Sequence, residues 1–296
     1  VEEARFSRLR SMKAMTSQVM SFVRCRARQS VDTYAEPWLP ALRRPFALRY
    51  RDKPLILAEY TMRWRILFAC WLVLPTLAMA QAPAKIIVLD TLHQMHAEVP
   101  AYGNATLGRI IEKLKPDVLC VELQPDDLTS RPPEKTKQEY PAVIYPLIDR
   151  HRYRVYAMEP AEPLYTTLLT PYRGNTDAFD TRQPARADAF GKYSDGLYAA
   201  LKAHWTSPAT VNDATTDAAF RAKHLLQEAL MGPGEHVGWE AWNSHFLEVI
   251  QRAARENPGR RIVVTVGAEH GYWLRDHLRN AAGVTLLDTP AELHGL

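Results

Sequence analysis

The sequence predicts an α/β fold: a mainly parallel β-sheet flanked by helices, with a helical insertion between strands three and four. Three observations carry this expectation. The strand-length runs "KIIVLDT", "DVLCVEL" and "RIVVTVG" are apolar without alternation, as strands buried on both faces are. Between the first two lies a segment of helical period, so the order is strand, helix, strand. Residues 161–257, by contrast, show helical spacing and no convincing strand.

The first strand opens at Lys85, and "NATLGRIIEKLK" follows as a helix with Asn104 as its cap. Pro116 stops that helix, because proline cannot donate the backbone hydrogen bond a helix interior needs. "DVLCVEL" is the second strand, a polar loop rich in proline and charge covers 124–137, a helix covers 139–151, and "YRVYAME" is the third strand. The insertion reads as three helices, in "ADAFGKYSDGLYAALKAHW", "DATTDAAFRAKHLLQEALM" and "GWEAWNSHFLEVIQRAARE", broken at "NDATTD" and "MGPGEHVG". It is expected to form a lid or wall over the sheet. "RIVVTVG" is the fourth strand, Tyr272 to Asn280 a helix, and "VTLLD" a fifth strand.

Charge is unevenly distributed over the 296 residues. The chain totals +4, but residues 1–65 hold 14 Lys/Arg against 6 Asp/Glu, an excess of +8, which leaves −4 for the rest together with all ten histidines. A mildly acidic globular part argues against nucleic acid or anionic lipid as a partner. Residues 62–80 have the layout of a signal peptide: Arg63 and Arg65, the apolar run Ile66 to Leu77, then Ala78-Met79-Ala80 before Gln81. The run is shorter than the roughly 20 residues of a membrane span. A periplasmic or secreted protein with no stable membrane span after cleavage is therefore expected. Residues 1–61 lack a sustained helical or strand period and are expected to be an upstream extension ahead of a true start at Met62. Of three cysteines only Cys120 follows residue 80, so the mature chain has no internal disulfide, and its place in "DVLCVEL" suits a core thiol.

In an open parallel sheet the functional crevice lies outside the carboxyl ends of the strands. The first strand is followed by Thr91, His93 and His96, the second ends in Glu122, the third in Glu159, and the fourth in Glu269 and His270. Ionisable groups ending buried strands are unfavourable unless paired, hydrated or bound to metal. Imidazoles and carboxylates converging from separate strands suit two chemistries. In one, His93, His270 and Glu122 or Glu269 hold a divalent metal ion, of unspecified identity, and a spare glutamate is the base. In the other, a histidine or glutamate deprotonates water directly. The sequence contains no phosphate-binding loop, no dinucleotide fingerprint and no nucleophile elbow.

"VLDTLH", "LKPDVLCVEL" and "VVTVGAEHGYWLRDHL", in this order, resemble the TraB/GumN/TIKI family and its wider relatives, the erythromycin esterases and the ChaN-like haem-binding proteins. The family's late G-x-x-H is matched by Gly267-Ala268-Glu269-His270, and its P-D-x-x-x-x-E by Pro116-Asp117 leading to Glu122. The early G-x-x-H departs: His93 is in place, but Asp90 stands at the glycine position, where a side chain could narrow the site, add a ligand or alter the substrate. "WEAWN" resembles a W-x-x-R-N element, with Trp239 and Asn243 matched and Trp242 in place of arginine.

The resemblance implies hydrolysis by a His/Glu site, metal-dependent on peptides in one branch and metal-independent on esters in another. It points to His93, Glu122, His270 and Glu269 as the catalytic group, with His93, His270 and Glu122 as metal ligands and Asp90, His96, Glu159 and Asn243 in support. The partner is then a small-molecule or peptide substrate. The alternative is a ChaN-like protein that binds haem or another ligand without catalysis, its pocket built from Tyr193, Tyr198, Trp205, Trp239 and Trp242.

Overall fold

Strands that are apolar throughout need cover on both faces, and here they have it. A computed structural model of the chain describes residues 81–295. The segments read as an extension and a signal peptide, with Cys25 and Cys70, lie outside those residues. Strands β1 (Ala84–Thr91), β2 (Val118–Val121), β3 (Arg154–Ala157), β4 (Arg261–Gly267) and β5 (Val284–Leu286) form one sheet in the order β3-β2-β4-β1-β5. Every neighbouring pair is parallel. Ile86, Ile87, Val88, Leu89, Leu119, Cys120, Val263 and Val264 are fully buried, so helices cover both faces. The fold is the expected α/β arrangement.

Helix α1 (Asn104–Leu114) buries Leu107, Ile110, Ile111 and Leu114, one stripe at helical spacing, and turns out through a left-handed Lys115 into Pro116. Its cap differs from expectation. Gly103 occupies the N-cap and Asn104 is the first helical residue, with no side-chain cap bond. The stretch 124–137 contains a short helix, α2 (Pro125–Ser130). A π-helical turn over Tyr140–Ile144 then leads into α3 (Tyr145–His151).

The insertion comprises α4 (Leu164–Arg182), α5 (Pro184–His204), a single turn α6 (Pro208–Val211), α7 (Ala214–Met231) and α8 (Pro233–Glu256). Helix α4 is additional to the three expected helices, because Pro171 and Gly174 within it read as breakers. Tertiary contact overrides that weak local preference. The Tyr172 hydroxyl donates to Glu235 Oε1 at 2.7 Å, and Gly238 of α8 leaves the room that the Tyr172 ring fills. The carboxyl half of α8 buries Phe246, Val249, Ile250, Ala253 and Ala254, an apolar stripe set against the strands, so this half is sheet cover rather than lid. After β4 the helix α9 (Ala268–Leu278) starts four residues earlier than Tyr272, and α10 (Thr289–Glu292) closes the chain. No helix among the described residues is long and apolar enough to cross a membrane.

Register assembles the site. Thr91 pairs with Gly267 across β1 and β4, and Val121 pairs with Thr265 across β2 and β4. The carboxyl ends of three adjacent strands therefore lie level, and the residues just beyond them share one edge.

Candidate functional site

His93 leaves the end of β1 in a left-handed conformation, φ 51°, and begins a short 3-10 turn rather than a loop. Such a backbone is unfavourable by roughly 1–2 kcal/mol for a residue with a Cβ and persists where surrounding contacts impose it. The contact here is Glu139, fully buried at the entry to the π turn, whose Oε1 accepts the His93 Nδ1–H at 2.7 Å. The other ring nitrogen, Nε2, is turned toward Glu122, 3.8 Å from Oε2. Burial works against a charged imidazole, but the Glu139 and Glu122 carboxylates outweigh it and raise His93 above its ordinary value. Gly267 makes this approach feasible: a Cβ there would stand 2.6 Å from His93 Nε2 and 3.4 Å from Glu122 Oε2.

Glu122 directly follows β2 and is held on all sides. Its Oε2 accepts the Gly267 N–H at 2.6 Å, its Oε1 lies 3.2 Å from Lys137 Nζ, and its own N–H donates to the Tyr140 hydroxyl at 2.7 Å. Burial would raise its pKa, yet Lys137, His93, His270 and the Gly267 N–H together hold it at about 2. Lys137 also donates to Glu159 Oε1 at 2.5 Å and to the Glu122 carbonyl at 2.8 Å. Burial disfavours its charge, but Glu122 and Glu159 keep the ammonium well above its ordinary range. Glu159 is raised, chiefly by burial.

His270 lies in the first turn of α9. Its Nδ1–H donates to Asn243 Oδ1 at 2.8 Å, and Asn243 is fixed in turn by donating to the Trp239 carbonyl at 2.8 Å. The ring stacks on Trp239 at 4.8 Å, and burial lowers its pKa to about 4 despite Glu122 and Glu269. His270 is thus a neutral imidazole at pH 7, with the Nε2 lone pair available.

Not every expected residue joins this cluster. Glu269 points into the insertion, where it accepts from the Tyr198 hydroxyl, from Lys223 Nζ at 2.7 Å, and pairs with His224 Nε2 at 3.0 Å. Burial opposes its charge, but Lys223 and His224 hold its pKa well below the usual carboxylate range. Asp90 turns away too, forming a two-point ion pair with Arg275 at 2.8 and 3.2 Å. Gly271 leaves the space for that carboxylate. Asp90 therefore neither adds a ligand nor narrows the crevice. His96 is a structural brace: Nε2 accepts the Leu92 N–H at 3.0 Å and Nδ1–H donates to the Tyr102 carbonyl at 2.5 Å.

Lys137 and Glu139 are the residues that the sequence reading missed. Both lie where a charged stretch meets a helix start, and only the return of that stretch to the strand ends distinguishes them from surface charges. Their presence bears on the metal set of His93, His270 and Glu122. Both Glu122 oxygens are engaged, Oε2 by the Gly267 N–H and Oε1 by the Lys137 ammonium at 3.2 Å. Among the described residues no group of three or more His, Cys, Asp or Glu is gathered as ligands would be. As arranged, the set offers a cation no Glu122 oxygen that is not already engaged by Lys137 or the Gly267 N–H.

The aromatics of the haem alternative each have partners of their own. Trp205 is buried and donates to Thr216 Oγ1, Tyr198 is tied to Glu269, Trp242 packs on Tyr165 and Phe246, and Tyr193 stacks on Phe190. Trp239 is sandwiched between His224 and His270. No family model, curated protein or solved structure matches the chain.

Proposed function

We propose that the chain is an exported hydrolase of ester or peptide bonds, working from His93 at the carboxyl edge of the sheet. The observation that carries this reading is the Glu139–His93 pair. A buried carboxylate fixes the tautomer through Nδ1 and leaves Nε2, beside Glu122 and Gly267, as a base whose pKa is raised above its ordinary value. Glu122, at about 2 and fully engaged, is too weak a base for the role, and Glu269 faces elsewhere.

In the proposed reaction, His93 Nε2 takes a proton from water as the water oxygen bonds to the substrate carbonyl carbon. The carbonyl electron pair moves onto oxygen, and the Glu139 and Glu122 carboxylates stabilise the imidazolium. As the tetrahedral species collapses, the bond to the leaving oxygen or nitrogen breaks, and Nε2–H returns its proton to that atom. Backbone N–H groups in the first turn of α9, beyond the Gly267 N–H that Glu122 holds, suit the developing oxyanion. His270, neutral and oriented by Asn243, positions water or substrate through its Nε2 lone pair. The motif resemblance to the TraB/GumN/TIKI family and the erythromycin esterases supports the same class, and the separately partnered aromatics favour it over a haem-binding protein.

The test measures hydrolysis of p-nitrophenyl esters and a fluorogenic peptide library by the purified chain, with and without chelator, beside His93→Ala and His270→Ala. Turnover above the buffer blank that His93→Ala abolishes is expected, and the chelator arm separates metal-assisted from metal-independent hydrolysis. Equal rates in wild type and His93→Ala would sink the proposal. Export has its own measurement: the amino terminus of the secreted protein should begin near Gln81, and recovery of residues 1–61 in it would refute export by this signal.

A further inference from the structure

A cavity of about 230 Å³ lies among α7, α8 and α9, and its walls come from helices rather than from the strand ends. The rings of Trp239, Tyr272 and Trp273 face it, as do the carboxylates of Glu228, Glu235, Glu240 and Asp276. Against those four carboxylates stands one guanidinium, Arg221, already paired with Asp276 at 2.6 Å. Histidines apart, the lining is therefore strongly negative.

Glu235 indicates what is missing. It is 2% exposed, and its Oε1 accepts from the Tyr172 hydroxyl at 2.7 Å and from Gln227 Nε2 at 2.6 Å. Its Oε2 has no hydrogen-bond partner among the described residues, and neither has the neighbouring Gln227 Oε1. Buried acceptors of this kind are unfavourable unless a donor reaches them, and apart from the neighbouring Asn175 amide an incoming donor would supply what Glu235 lacks. An ammonium group carries three such donors and no acceptor.

The aromatic walls favour the same charge. The Arg221 guanidinium sits 4.8 Å above the Tyr272 ring while pairing with Asp276, so one wall already holds a cation between a ring face and a carboxylate. We propose that this cavity is a binding site for an organic cation, a protonated amine on an apolar body, held by the carboxylates of Glu235 and Glu240 within a wall that includes Trp239, Tyr272 and Trp273. The amine could belong to a small molecule or to a basic peptide side chain, which share this chemistry.

Calorimetric titration of the purified chain with phenethylammonium chloride tests the idea, with 2-phenylethanol as the uncharged isostere and N-acetyl-lysinamide as the peptide-like amine. Saturable binding of an amine at least about tenfold tighter than the alcohol is expected, since the charge-assisted bonds are lost with the charge. The tighter of the two amines identifies the source. Glu235→Gln and the half-buried Glu240→Gln should each weaken it about fivefold or more. The second variant keeps the question open to measurement if the first does not fold. His93→Ala should bind the amine as wild type does, which separates this site from hydrolysis. The proposal is overturned if amine and alcohol bind alike, if no amine saturates, if Glu240→Gln binds as wild type, or if His93→Ala abolishes binding.

Discussion

Replacing Glu139 by glutamine tests the centre of the proposed mechanism with little change of shape. The wild-type contact joins a fully buried carboxylate to the His93 Nδ1–H at 2.7 Å. Glutamine can still accept that hydrogen bond but carries no charge. A charge-assisted bond is worth about 1.5–3 kcal/mol against about 1 for a neutral one, so the loss is on the order of 0.5–2 kcal/mol in the stability of the imidazolium. Where formation of the imidazolium limits the proposed reaction, turnover should fall by roughly twofold to thirtyfold. The pH dependence makes the test specific. His93 has a raised folded-state pKa, so its pairing stabilises the fold fully below the ordinary imidazole value, and this contribution is lost as pH rises through the raised one. The stability difference between wild type and Glu139→Gln should therefore be largest in mild acid and shrink toward alkaline pH. In parallel, the acid limb of the pH–rate profile and the His93 C2–H titration by NMR should both move to lower pH. A variant whose acid limb and His93 titration coincide with wild type would refute the assignment of Glu139 and His93 as one unit.

Four further outcomes follow from the same geometry. Gly267→Ala places a Cβ 2.6 Å from His93 Nε2, so His93 must shift; activity should collapse while urea melts show a loss of only about 1–3 kcal/mol, typical of local overpacking. Lys137→Met leaves Glu122 and Glu159 buried without their cation and should lower unfolding free energy by roughly 3–5 kcal/mol at pH 7, read by chemical denaturation. The Glu122 pKa of about 2 means that its stabilisation is present above the ordinary glutamate value and fades as pH falls toward 2, so wild type should resist mild acid that unfolds Lys137→Met. Asn243→Asp sets a carboxylate against His270 Nδ1, and the His270 titration should rise clearly from its value of about 4, followed by NMR.

The sheet was legible because burial on both faces leaves a sequence trace: strands without alternation, separated by a helix of regular stripe. Register was legible only in outline. That His93, Glu122 and His270 share an edge follows from their positions after parallel strands, whereas the level pairing of Thr91 with Gly267 depends on side-chain packing that no single strand reveals. Helix α4 was hidden by Pro171 and Gly174, whose intrinsic preferences give way to contact with α8. Lys137 and Glu139 were hidden for a different reason. A run such as "EKTKQE" has the composition of solvated loop, and nothing local says that two of its charges return to buried partners 15 and 46 residues earlier in the chain.

Asp90 shows how a departure from a motif can be absorbed without touching the site. The family pattern has glycine at that position, and an aspartate there invites reading as a ligand. Its carboxylate instead occupies space that Gly271 leaves open, and Arg275 meets it one helical turn further along α9. Arg275 also pairs with Asp217 of α7, and the Asp90 N–H donates to Asn212 between α6 and α7 at 2.8 Å. Asp90 thus fastens the insertion to the end of β1. Gly271→Ala should on this argument break the fastening, because its Cβ would also meet Arg275 Nη2 at 2.6 Å. The expected sign is loss of stability, by several kcal/mol if the buried pair separates, with the His93 titration unchanged. A Gly271→Ala protein that shifts the His93 titration but keeps its melting temperature would instead place Asp90 in the functional cluster.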